Sequence, residues 1–222
     1  MQDWLSYRIS DFLMYSPDIY YRLLGRYNAA LWPVHYLAFA ISLVALWLMW
    51  KPRRHSGLLV GLVAASGWGF TGEVFFQHYY ATISWAAPYF AYGFMAQAVL
   101  LVFAGARGWL HFDAAPRAIR FAGLLLFTAM LLGMPMLAMV EGRALGQDEI
   151  VWLTPDATVL ATFAAFITAA RCHGLLYIIP LCWATLNGAL LWAMESESWW
   201  LMPVMALAAV LTGLYRRYLP PH

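Results

Sequence analysis

Glu73 and His78 are the residues most able to do chemistry in this sequence, because they sit at the end of an apolar stretch where an ionisable group is costly to place. A carboxylate removed from water trades its proton closer to neutral pH than usual, and an imidazole titrates there unaided. His35 is expected at the same outer depth in the preceding apolar segment. Together His35, Glu73 and His78 would suit a proton relay, an ion or small-solute site, or a weak metal site, although their spacing matches no recognised ligand motif. The plainer alternative is that Glu73, so near the end of its segment, reaches water and is structural.

Gln97 and Asn187 fall near the middle of two further apolar segments. Amides at that depth bond between helices, for about 1 kcal/mol each, or line a polar path. Thr158 and Thr162 are spaced to bond back onto their own helix. Met130, Met134, Met136 and Met139 are soft donors that suit Cu(I), but flexible packing around Pro135 explains them as well. No Walker loop, dinucleotide fingerprint, HExxH, CxxCH or nucleophilic triad is present, so nothing identifies a cofactor or marks an enzyme. The only lysine, Lys51, falls between segments, which sets aside a retinal Schiff base.

The elements that must position these residues are membrane helices. Of 222 residues, 64% are hydrophobic and 11% charged, against roughly 25% charged in soluble domains. A net charge of +2 gives no basis for nucleic-acid binding. The expected fold is all-α, a polytopic bundle of about seven spans near residues 29–50, 57–76, 85–106, 119–140, 155–170, 175–194 and 199–215. The first reaches about 33 Å, enough for a hydrocarbon core of about 30 Å; the fifth reaches only about 24 Å. Residues 29–222 form one domain. Residues 1–28 precede it as two amphipathic helices, 2–14 and 17–28, lying in the bilayer interface or docked on the bundle as a lid. Six charged residues within 1–28 leave no apolar core for a cleavable leader.

Gly57, Gly61, Ala65 and Gly69 make a small-residue stripe for close helix packing, and the next step along it is Glu73. Helical phase therefore turns Glu73 toward a neighbouring helix or cavity. Nine of the thirteen basic residues (Lys51, Arg53, Arg54, Arg107, Arg117, Arg120, Arg171, Arg216 and Arg217) fall on one side of the seven-span arrangement. That side is cytoplasmic by the positive-inside rule, so the N-terminus is outside and the C-terminus inside. Trp32, Trp85, Trp152, Trp199 and Trp200 should mark the outer boundary. Cys172 and Cys182 read as isolated apolar thiols and not as a disulfide.

Phe12-Leu-Met-Tyr-Ser-Pro17, Tyr27-Asn-Ala-Ala-Leu-Trp-Pro33, His78-Tyr-Tyr-Ala-Thr-Ile-Ser-Trp-Ala-Ala87 and Leu153-Thr-Pro-Asp156 resemble a family of bacterial polytopic membrane proteins of unknown function, some labelled permeases. The resemblance implies a bacterial inner-membrane location, but no reaction and no catalytic residues. Three functions stay open: a permease-like transporter of a small solute, proton or metal ion; a non-catalytic accessory subunit with a membrane-protein partner or a second copy; and a redox subunit holding haem, quinone or metal through the same histidines.

Overall fold

The computed structural model describes residues 15–113 and 115–218, so the first expected amphipathic helix, 2–14, lies outside the described residues. The second is present as α1 (Pro17–Ala30). Ser16 is extended and Pro17 opens the helix, as an N1 proline with preset φ should. Tyr20, Leu23, Leu24 and Tyr27 are buried, while Arg22 and Arg26 on the other face are exposed. After a tight turn, α2 (Val34–Trp50) leaves at 88° to α1.

α3 (Ser56–Phe70) continues without a break into a π-helical segment, Thr71–Tyr79, and a 3-10 turn, Tyr80–Thr82. α4 (Ala87–Arg107) returns beside it and ends on Gly108, whose φ of +67° suits a glycine. β1 (Leu110–His111) follows, then α5 (Arg117–Val140), which includes Pro135. α6 (Pro155–Thr168), β2 (Arg171–Cys172), a 3-10 turn at Gly174–Tyr177, α7 (Ile178–Ala193) and α8 (Leu201–Tyr218) follow in turn.

The described residues are helical apart from loops and the short antiparallel ribbon β1–β2, with Leu110 opposite Cys172 and His111 opposite Arg171. Among the described residues, four helical runs are long and apolar enough to cross a membrane: Ser56–Thr82, Ala87–Arg107, Arg117–Val140 and Gly174–Ala193. The bent pair α1–α2 makes a fifth if taken as one span, and α6 and α8 are apolar but shorter. Large apolar side chains point outward on α2, α4, α5 and α8, among them Leu37, Val99, Phe121 and Val204. A continuous apolar exterior of this kind suits lipid.

α6 is the centre of the bundle. Each of its residues is buried, packed by α5 and α8 with further contacts from α3 and α7. Fourteen residues rise only about 21 Å, so both ends stop short of a bilayer's thickness and need partners in the protein. At the C-terminal end, Arg216 of α8 donates to the carbonyls of Phe166 (3.0 Å) and Ile167. Ala170 N–H donates to the His111 carbonyl at 2.6 Å, which ties the segment after α6 to β1.

The small-residue stripe packs α3 against α4 and the ribbon. A Cβ on Gly57 would lie 1.9 Å from the Leu110 carbonyl oxygen, and one on Gly61 3.0 Å from that of Leu101. At Gly69 the nearest atom is the Ala98 methyl at 3.8 Å, so the approach has already opened there. Trp152 departs from its expected place at the outer boundary. It is 2% exposed, whereas Trp32, Trp85, Trp199 and Trp200 are exposed. Its φ of +71° turns the indole inward, against Gly67, where an added Cβ would meet the ring at 2.5 Å. A bulky residue at positive φ is costly and persists only where packing over-determines it.

Candidate functional site

Two buried carboxyls, Glu149 and Asp156, gather at the N-terminal end of α6. Asp156 stands in its first turn, 5% exposed. Its carboxylate accepts from Trp183 Nε1 at 3.0 Å and from Asn187 Nδ2 at 2.6 Å, both on α7. A carboxylate at a helix N-terminus also meets the positive end of the helix dipole. Arg216 answers the negative end with its guanidinium.

Glu149 comes from the loop before α6 and is 4% exposed. Its Oε1 accepts from the Tyr20 hydroxyl of α1 at 3.1 Å, while no hydrogen bond in normal geometry reaches Oε2. Burial pushes this carboxyl up from its ordinary value. Glu149 and Asp156 line one cavity of about 20 Å³ with Tyr20, Tyr21 and Arg143. That is room for one water-sized group. Arg143 is bound to Glu141 at 2.8 Å and lies over the Tyr21 ring at 4.7 Å, so its charge is already shared.

The loop carrying Glu149 is folded in from both sides. Tyr27 donates its hydroxyl to the Leu153 carbonyl at 2.6 Å. Asn28 donates to the carbonyls of Gly146 (2.8 Å) and Asp148 (2.9 Å). α1 is thus fastened onto the loop and covers it. Behind Tyr20 runs an aromatic wall: Tyr15 and Tyr80 share a hydrogen bond through their hydroxyls, Tyr80 meets Phe76 at 5.6 Å, and Phe76 meets Trp183 at 5.2 Å. Trp183 then returns to Asp156. Thr162 donates to the Thr158 carbonyl at 2.7 Å, as its spacing predicts, and also accepts from Trp68 Nε1 at 2.9 Å.

The residues singled out from sequence divide among several places. Glu73 and His78 meet at 3.4 Å because the segment is π-helical and residues five apart stack. Their side chains are 56% and 64% exposed, so the carboxylate does not face a helix as α-helical phase predicts. The phase is lost where the ladder widens after Phe70. Among the described residues no three His, Cys, Asp or Glu side chains gather as a metal-ligand set, so His35 does not complete one with that pair. Gln97 is fully buried and donates to the Leu176 carbonyl at 3.0 Å, an inter-element bond. Asn187 bonds across helices too, and its partner is Asp156. Met130 and Met134 are buried while Met136 and Met139 are exposed, so the four thioethers do not share one face.

Glu149, Asp156 and Tyr20 escaped the sequence reading. Asp156 stood in a helix-start signal and Glu149 in an acidic loop, where carboxylates are ordinarily solvated. One usable clue was that Asp156 opens the shortest of the expected spans.

No curated protein and no solved structure matches the chain. The sequence model of one family, the DUF6064 family of unknown function, matches residues 17–220, and by that match the chain belongs to it.

Proposed function

We propose that this protein is a permease of the bacterial inner membrane that moves a small solute together with protons, and that Glu149 and Asp156 are its site. The observation that carries the reading is the pair of buried carboxyls lining one small cavity at the head of a short, wholly buried helix. Two carboxyls in a low-dielectric space resist being charged together, so they bind a proton or a cation between them. Short central helices whose termini face the bilayer interior are the usual construction of solute sites in secondary transporters. The donors of α7, Trp183 and Asn187, orient Asp156. Tyr20 and Arg143 close the cavity from the α1 side. Gln97 lies deeper, and His78, the partner of Glu73, lines an outer recess with Arg22 and Arg26.

In this reading the chain crosses the membrane seven times, α6 included, with the α5–α6 loop outside. The charge asymmetry of the loops supports that orientation. The test is proton movement in proteoliposomes with a pH dye inside, while a panel of small cations and neutral solutes is applied outside. A transported solute should change internal pH in the wild type, and Asp156→Asn should abolish the change while Glu73→Gln keeps it. A folded Asp156→Asn protein with wild-type flux would overturn the site.

A further inference from the structure

Resting on that reading, we propose that the solute is a primary amine with an apolar tail, admitted sideways from the lipid between α5 and α8. A cleft of about 350 Å³ opens there, walled by Ala129, Gly133 and Val140 on α5 and by Trp200 at the start of α8. Pockets that hold small ligands run from roughly 300 to 1,000 Å³. The cleft and the acid cavity share Met134, Leu137, Ser198 and Leu201 as a common wall. A molecule lying in the cleft therefore needs only those side chains to shift for its end to reach the carboxyls. Met134 is an unbranched, adaptable side chain suited to such a shift.

Charge and size select the head group. Glu141 and Glu197 stand on the cleft, and Glu149 and Asp156 lie behind it. Arg143, the one basic side chain lining either space, is committed to Glu141. Both oxygens of Asp156 have donors, at 3.0 and 2.6 Å, whereas Glu149 Oε2 has none in normal geometry. Besides Tyr20, the Glu149 carboxyl is approached by Thr154 and the Ala157 N–H, so Glu149 is the acceptor that an incoming group engages. A primary ammonium supplies three N–H donors in about the volume of a water, which matches a cavity of about 20 Å³. A trimethylammonium head neither donates nor fits. A lipid acyl chain fills the cleft without using the carboxyls at all.

The test is scintillation-proximity binding of tritiated octylamine to the purified full-length protein, with octyltrimethylammonium and octanol as competitors. Saturable binding is expected, with unlabelled octylamine competing at least tenfold better than either analogue. Glu149→Gln should weaken binding at least tenfold. Gly133→Leu should do likewise by filling the cleft, since a Cβ at Gly133 meets no atom within 4 Å, and Gly133→Ala should weaken it less. Equal competition by octyltrimethylammonium or octanol would overturn the amine head group and leave a lipid-tail cleft. Wild-type binding by a monodisperse Gly133→Leu protein would overturn the route. Absence of saturable octylamine binding, with Asp156-dependent proton flux intact for another solute, would overturn this substrate class and leave the permease standing.

Discussion

Glu149 is a carboxyl whose protonated form the fold prefers. Burial raises its pKa in the folded protein above that in the unfolded chain. The groups facing it are the Tyr20 hydroxyl from α1, Arg143 and Thr154 from its own loop, and Asp156 from α6. Because the folded state holds the proton more tightly, its contribution to stability is complete below the ordinary carboxylate range and is lost as pH rises through the folded pKa. Thermal unfolding in detergent at pH 5 and pH 8 should therefore show the wild type losing stability toward pH 8. Glu149→Gln, which cannot ionise, should flatten that loss. An unchanged pH slope in the variant would mean that the titration belongs to another group.

At the scale of elements, the α3–α4 contact and the π segment separate packing from chemistry. The stripe Gly57–Gly61–Ala65–Gly69 was legible because small residues at i+4 steps can mean only close approach, and α3 does press on α4 and the ribbon. The stripe is graded, however, since space increases from Gly57 toward Gly69. Gly57→Ala drives a methyl into a backbone carbonyl and should cost about 1–3 kcal/mol or more. Gly69→Ala meets only a methyl at contact distance and should stay within about 0.5 kcal/mol. Denaturant or thermal unfolding of both variants checks the contrast, and equal costs would contradict the close contact at the ribbon. Beyond Phe70 the widened ladder carries Glu73 to the surface, a change that side-chain periodicity does not encode.

The molecule as a whole is a bundle built around a helix shorter than a bilayer is thick. If α3, α4 and α5 each cross the membrane and the basic loops face the cytoplasm, residues 55 and 144 lie on opposite sides. In a background of Cys172→Ala and Cys182→Ala, an impermeant maleimide should label Ala144→Cys in intact spheroplasts and His55→Cys only after permeabilisation. The reverse pattern would invert the orientation, and labelling of both from one side would break the span count between them. Both positions are exposed, so accessibility within the fold does not limit the reading.

Composition and local order were enough for the helical class and most apolar segments, since charge content, Ser-Pro and Thr-Pro starts and small-residue steps act over a few residues. The expected first span, 29–50, is however broken by the turn at residues 31–33, and among the described residues four or five runs, not seven, are long and apolar enough to cross a membrane. The ribbon, the inward Trp152 and the acid site were decided by the tertiary structure. Glu149 meets Tyr20 across 129 positions of sequence and Asp156 meets Asn187 across 31. A carboxylate's role depends on whether water reaches it, and here that depends on α1 folding over the loop and on four helices enclosing α6. Nothing within a few residues of Glu149 or Asp156 carries that information, whereas the apolar stretch around Glu73 advertised a burial that the π-helical turn removes.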